Sequence, residues 1–274
     1  MMESNFEINI LASGSGGNCL VVDNQIMIDC GVSRKFIENS GYDLKQLRVL
    51  CVSHRHSDHT NLAFIRYCLK NNIKCLIPQN VFAQLTSRRF NADDYQSLIL
   101  LNDSLPFYHF TLQNQQSYVL HVHPTDHFDL VNFAFEINRS DHKDLLYATD
   151  LRTVARTEQA LGLADLGKYD TLILEGNYDE YYLHCYINNY LKTLDPTWNC
   201  ESLNDEQLNT WIRANKYKNI PSDLSGILFR AVQNMRHLSK QQARLYARNH
   251  LKPDGVYYEV HRSSMFYAPV SDDF

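Results

Sequence analysis

The sequence predicts an α/β (α+β) layered domain, and three observations carry that reading. Short apolar runs of strand length, such as LRVLCVS, DLLYATD and DTLILEGN, recur along the chain. Between them lie stretches with apolar residues three and four apart, the period of an amphipathic helix. Strands precede helices in both halves, without internal repeats or low-complexity tracts, which excludes a solenoid or a helical bundle.

Taken in order, FEINILAS and NCLVVDNQIMIDCG read as N-terminal strands joined by turns, and LRVLCVS as a fully buried strand. After His59, the spacing of Leu62, Ile65 and Leu69 predicts a helix in LAFIRYCLKNN. KCLIP reads as a strand and NVFAQLTSRRF as a helix. Residues 97–137 carry LILL, FYHFTL, SYVLHVH and NFAFEI, which together predict a β-meander; DLLYATD and DTLILEGN add two buried strands. From Tyr178 the texture changes. YDEYYLHCYINNYLKTLDPTW and NDEQLNTWIRANKY are aromatic-rich helical stretches that do not fit the core pattern. Leu224, Ile227, Leu228, Ala231, Val232 and Met235 then form one helical stripe, Ser239 and Gln242 a capping box, and GVYYEVHRSSMFY a last strand. The expected organisation is a single domain over residues 1–274 with a helical insertion at about 178–223.

Composition narrows the class. A chain of 274 residues can bury one large core or two modest ones. The net charge of −5 argues against a generally basic, nucleic-acid-coating surface. Locally, Arg236, Lys240, Arg244, Arg248, Lys252 and Arg262 form either a basic face or a solvated helix face. No apolar stretch approaches the roughly 18–20 residues that span a bilayer, and MMESNFEINILASG does not read as a secretory signal. The seven cysteines, without a CxxC pair, read as buried thiols of a reducing compartment. A cytoplasmic protein with no membrane partner is expected.

The chemistry concentrates in CVSHRHSDHT, residues 51–60, which crowds His54, His56, Asp58 and His59 together. Neighbouring imidazoles gain nothing from each other in a core, so the cluster calls for a metal. Residues two apart in an extended segment point the same way, so His54 and His56 can hold one ion while Asp58 and His59 face a second. Neither pair completes a coordination sphere. Polar residues that follow buried strands supply candidates: Asp150 after LLYAT, and Glu175 and Asn177 at the end of TLILE. His127 lies between VLHVH and NFAFEI, and His237 between the Leu224 helix and the helix capped by Ser239. Asp150 is placed to bridge, with His127 and His237 completing one ion each. Two divalent ions are expected, zinc first for a histidine-rich set and manganese second.

SHRHSDHT resembles the signature of the metallo-β-lactamase-fold hydrolases, and the order Asp29 in MIDCG, His127, Asp150 in YATD, His237 in RHLS fits it. LASGSGGNCLVV and IMIDCGVS resemble the opening of the WalJ/YycJ-type exonucleases, and HFDLVNFAF their third-histidine segment. LILEGNYD and RHLS resemble motifs shared in part with tRNase Z. The resemblance covers roughly residues 5–177 and 225–265. It implies a four-layer αββα sandwich with His54, His56 and His127 on the first ion, Asp58, His59 and His237 on the second, and Asp150 bridging. Asp58, His59 and Asp150 are then the catalytic set. His261 in EVHRSSMF rivals His237 for the last position; His237 is preferred because RHLS precedes a helix. Roughly 60 residues separate Asn177 from His237, so the insertion is expected to roof or flank the site.

Around this set, Asp29 is expected to orient a ligand histidine or fix its loop, and Glu175 and Asn177 to buttress the site or cap a strand. SGSGGN, residues 13–18, lacks the Lys-Ser/Thr of a P-loop and precedes a strand. It is a hairpin turn, or a loop whose Ser13, Asn18 and backbone N–H groups approach a phosphate. Arg55, Arg152 and Arg236 are candidate phosphate contacts; His121 and His123 read as cross-strand packing residues. The function expected is a dinuclear-metal-dependent hydrolase of phosphodiester bonds, a nuclease on DNA or RNA, with exonuclease action. The first alternative is a phosphodiesterase for small or cyclic nucleotides, of the kind phages turn against host signals. The acidic charge favours it, and the aromatic insertion would serve as a base-stacking lid or a homodimer contact. A hydrolase of a non-phosphate ester and a non-catalytic metal-binding regulator complete the set.

Overall fold

The computed structural model describes residues 5–86, 96–101, 107–112, 116–127, 130–151, 167–194, 205–215, 222–263 and 265–267. Two six-stranded mixed sheets face each other. The first holds β1 (Ile8–Ala12), β2 (Cys19–Val22), β3 (Ile26–Ile28), β4 (Val49–Cys51), β5 (Lys74–Pro78) and β6 (Leu98–Leu101) in sequence order. The second holds β7 (Phe107–Thr111), β8 (Ser117–His127), β9 (Leu130–Arg139), β10 (Lys143–Ala148), β11 (Tyr169–Glu175) and β12 (Leu251–Val260), also in order. In each sheet the early strands pair antiparallel and the later ones parallel.

Alternation within the strands builds the layers. In β3, Ile26 and Ile28 point between the sheets while Met27 points outward; in β10, Leu145 and Tyr147 point inward and Leu146 and Ala148 outward. Strands buried on both faces must read as continuous apolar runs, which is why LRVLCVS and TLILE look as they do. Helices α1 (Arg34–Asn39), α2 (Leu62–Lys70) and α3 (Gln79–Thr86) cover the outer face of the first sheet through Ile37, Phe64, Ile65, Cys68, Val81 and Leu85. Ser33 and Asn61 cap α1 and α2 by accepting backbone N–H bonds.

Beyond β11 come α4 (Glu180–Leu194), α5 (Asp205–Asn215), α6 (Ser222–Asn234) and α7 (Lys240–His250). α7 covers the outer face of the second sheet with Ala243, Tyr246 and Ala247, completing the four αββα layers, and the Ser239–Gln242 capping box starts it. The aromatic-rich stretch packs elsewhere: Leu183, Ile187 and Leu191 of α4 meet Leu208 of α5 and Leu228 and Ala231 of α6 in a cluster of their own. Residues 195–204 and 216–221 of the insertion lie outside the described residues.

Three expectations change. The meander over residues 97–137 is divided, because β6 pairs in parallel with β5 and so closes the first sheet, while β7 opens the second. His127 is the last residue of β8 and not a loop residue: the β8–β9 ladder continues to the pair His127 and Leu130. The last strand begins at Leu251 and ends at Val260, one residue before His261. Among the described residues, Cys19, Cys30, Cys51, Cys68 and Cys75 are buried free thiols and Cys185 is half-buried and free. Among them also, no helix is long and apolar enough to cross a membrane.

Candidate metal centre

The ends of strands from both sheets converge on one place. Asp29 follows β3, the His54–His59 segment follows β4, His127 closes β8, Asp150 follows β10, Glu175 closes β11 and His261 follows β12. Three of these residues, Asp29, Asp150 and His261, have positive φ of 58°, 56° and 57°. That left-handed conformation costs a side-chain-bearing residue roughly 1 kcal/mol, and here it turns each side chain out of its strand toward a common centre.

Asp150 occupies that centre. Its Oδ2 lies 2.8 Å from His59 Nε2 and 3.9 Å from His54 Nε2, and its Oδ1 lies 3.6 Å from His127 Nε2 and 3.5 Å from His237 Nδ1. His54 Nε2 and His56 Nδ1 face each other at 2.9 Å. Three groups of ligand atoms gather within 4.8 Å: His54, His56, His127 and Asp150; Asp58, His59 and His261; and Asp150, Glu175, His237 and His261. Imidazole and carboxylate atoms this close, mostly buried and aimed at one another, fit the donor preferences and bond lengths of borderline divalent ions.

The side chains group differently from the expected partition of ligands. Asp58 and His59 are joined by His261 in place of His237; His261 Nε2 is 3.6 Å from Asp58 Oδ2. The cause is strand register: β12 runs parallel to β11 with Val260 beside Glu175, which delivers the next residue, His261, to the ligand level. His237 lies one turn past the end of α6 and pairs through Nδ1 with Glu175 Oε2 at 3.1 Å, while Glu175 Oε1 accepts the Leu238 N–H. The sequence offers His261 as the rival for this position, and the end of β12 at Val260 gives it the same strand-end placement as Asp150.

Charges at the site hold one another. Burial alone would raise the Asp150 carboxyl, but His261, His59 and His54 bring it well below the usual range. Burial opposes protonation of His59, yet Asp150 and Asp29 lift it well above its ordinary value; against the same burial, Asp150, Asp58 and Glu175 lift His261 to about 10. Burial lowers His54 well below the ordinary value and His127 to about 4. Glu175, despite burial, is held at about 2 by His237 and His261.

A supporting shell fixes the ligands. Asp29 Oδ2 is 2.7 Å from His59 Nδ1 and accepts the Tyr147 hydroxyl at 2.7 Å. Ser53 donates its N–H and its hydroxyl to Asp29, and its Oγ lies 3.0 Å from His54 Nδ1. One carboxylate therefore orients ligands of both ion groups, leaving Nε2 of His59 facing the centre. Ser53 and Tyr147 escaped the sequence reading, although alternation along DLLYATD puts Tyr147 on the inner face.

SGSGGN is a hairpin between β1 and β2 clasped onto the signature loop. Asn18 donates its backbone N–H to Asp58 O at 2.6 Å, and its side-chain amide nitrogen lies 2.9 Å from His59 Nε2. Ser13 Oγ accepts the His261 N–H at 2.7 Å. Asn177 donates to His261 O at 3.1 Å. Arg55 is exposed and does not line the cavity described next; Arg236 bonds Gln233; Arg152 lies outside the described residues.

A cavity of about 570 Å³ opens over the centre, and His56, Asp58, His127, Asp150, His237 and His261 line it. Arg230, Gln233 and Asn234 of α6 line it too, as does Arg262.

Residues 24–197, more than half of the chain, match the Beta-lactamase superfamily domain. The chain belongs to this superfamily of metal-dependent hydrolases, in its metallo-β-lactamase form. Among solved structures, human tRNase Z, short form (ELAC1), is similar at a TM-score of 0.52 and 13% identity, covering 94% of this chain and 92% of that one. The metallo-beta-lactamase fold protein YhfI from Bacillus subtilis has a TM-score of 0.46 at 13% identity, over 64% of this chain and 73% of that one. Zn(2+)-bound PqqB from Methylobacterium extorquens has a TM-score of 0.45 at 13% identity, over 65% and 75%. No curated protein matches the chain. The likeness to tRNase Z bears on the fold alone, and the superfamily fold implies a divalent metal.

Proposed function

We propose that the chain is a dinuclear-metal-dependent phosphodiesterase of the nuclease type, acting on DNA or RNA. The observation that carries this reading is the shared Asp150 carboxylate, which lines a cavity also lined by the guanidinium-bearing Arg230 and Arg262. A shared carboxylate suits two adjacent ions, and cationic walls suit an anionic substrate. His54, His56, His127 and Asp150 would hold one ion, and Asp58, His59, His261 and Asp150 the other. When bound, two divalent ions supply Lewis acidity and lower the pKa of water toward neutrality.

The chain's own residues then divide the work. Asp29 and Ser53 hold the tautomers of His59 and His54. Asp58, part-exposed beside the cavity, can accept a proton from the attacking water. His237 lines the cavity with Nδ1 3.1 Å from Glu175 Oε2, an orientation in which Nε2 can pass a proton to the leaving oxygen. Zinc is the ion expected, with manganese second. The free thiols support a reducing, cytoplasmic setting.

Cleavage of small or cyclic nucleotides is the second reading, favoured by one observation. The basic run near the C-terminus is largely neutralised: Lys240 pairs with Asp179, Arg244 and Arg262 with Glu259, and Lys252 with Asp170. Elemental analysis followed by metal-loaded protein offered labelled single- and double-stranded DNA, RNA and cyclic nucleotides tests both. A nuclease turns over polymer with steeply salt-dependent binding; a shallow salt slope and turnover of cyclic nucleotides alone select the second reading. Turnover undiminished in Asp150→Ala would sink the dinuclear mechanism.

A further inference from the structure

The wall of the cavity formed by α6 has a chemistry that the metal centre does not use. Arg230, Gln233 and Asn234 are spaced three and four apart, so they share one stripe of the helix, and all three line the cavity. Arg230 stands about 6 Å along the helix axis before Asn234 and so farther from His237, which follows that residue. Unlike Lys240, Arg244, Lys252 and Arg262, it forms no ion pair among the described residues. Its backbone carbonyl accepts the Asn234 amide at 2.8 Å, which ties the two residues together. Gln233 spends its carbonyl on Arg236 at 3.2 Å and keeps its amide nitrogen as a donor. Arg262, held at Nε by Glu259 and set 5.1 Å over the Tyr267 ring, lines the same cavity.

A cavity of about 570 Å³ is far larger than one phosphate and matches a ligand of nucleotide size. We propose that Arg230, with Gln233 and Arg262, forms a second anion subsite that receives a phosphate one nucleotide away from the bond that is cut. The assignment rests on the phosphodiester reading of the metal centre, and it names the substrate class: a linear strand or dinucleotide carrying a flanking phosphate, in preference to a cyclic mononucleotide, which has none. It also gives the helical insertion a role, since the α4–α5 cluster is what supports α6 over the site.

The test uses metal-free full-length protein, so that binding is read without turnover. Calorimetry compares the dithymidine nucleotide TpT with pTpT and TpTp, which add a terminal phosphate at one end or the other. Wild type is expected to prefer one phosphorylated form by roughly tenfold or more, the scale of a charge-assisted contact. Arg230→Ala should abolish that preference and Arg230→Lys retain part of it. Arg248→Ala, which removes an exposed arginine of α7 and the same charge, should leave it intact. Equal binding of all three ligands by wild type, or a preference that survives Arg230→Ala, overturns the subsite. If the preference holds as expected but metal-loaded protein cleaves no diester, the subsite stands and the phosphodiesterase reading falls.

Discussion

Asp29 shows how much one side chain carries. It is fully buried, and it contacts His59, Ser53 and Tyr147 at once. Asp29→Asn keeps the size and loses the charge that orients His59. Removing such an outer-shell partner typically weakens metal binding by 10–100-fold. Competition against a chromophoric chelator should show that loss of roughly 10–100-fold for one of two ions. If both ions bound as tightly as in wild type, Asp29 would be a packing residue. A second expectation concerns protons. His59 and His261 are held charged in the metal-free site, burial notwithstanding, by Asp150 and its neighbours. A metal needs neutral imidazole, so loading at pH 7 should expel a proton from each, and affinity should climb with pH through about 10, above which His261 no longer holds a proton. Calorimetry in buffers of different ionisation enthalpy reads this directly; uptake without proton release would contradict it.

Among the elements, the β3–α1 connection is the one most tightly specified. Gly31 sits where a Cβ would come 1.8 Å from the carbonyl oxygen of Asp58, and backbone cannot yield as a side-chain tip can. Gly31 N–H bonds Asn18 O at 2.9 Å, and Cys30 N–H bonds His59 O at 2.9 Å, so the turn, the SGSGGN hairpin and the signature loop form one unit. Gly31→Ala should therefore cost more than about 3 kcal/mol and displace Asp58 and His59 together. Gly16→Ala, with no atom within 4 Å of the added carbon, is the control and should be near neutral. Thermal unfolding and metal stoichiometry of the two variants decide; equal effects would mean that the close approach is not what the glycine serves.

At the scale of the whole molecule, the outer face of the second sheet makes stability depend on acid. Glu136 on β9 meets His123 at 3.1 Å and Lys168 at 2.6 Å. Burial would raise its carboxyl, but these partners hold it at about 2 against an ordinary 4.5. Because the folded value is the lower, the stabilisation is present above about pH 4.5 and drains as pH falls toward 2, at most about 3 kcal/mol in all. Urea unfolding of wild type and Glu136→Gln should differ most at pH 7, with the gap narrowing below pH 4.5 and closing toward pH 2. A gap independent of pH would show that the pairs contribute shape and not charge.

The layered fold was legible because burial on both faces leaves unbroken apolar strands, and amphipathic helices leave a period of three to four. The His54–His59 cluster was legible because its ligands are neighbours in the chain. Asp150 and Glu175 were within reach of the strand-end rule for the same local reason. What only the tertiary structure decided were matters of register and sheet membership. Whether β6 ends one sheet or begins the next depends on its pairing with β5, and no local pattern encodes a partner. Whether His261 or His237 joins Asp58 depends on β12 lying in register beside β11. The α6 wall over the site depends on the packing of α4 and α5 against it, far from the signature in sequence. Local order is set by the side chains a residue shares its segment with; the composition of a site drawn from six strand ends is set by how those strands align.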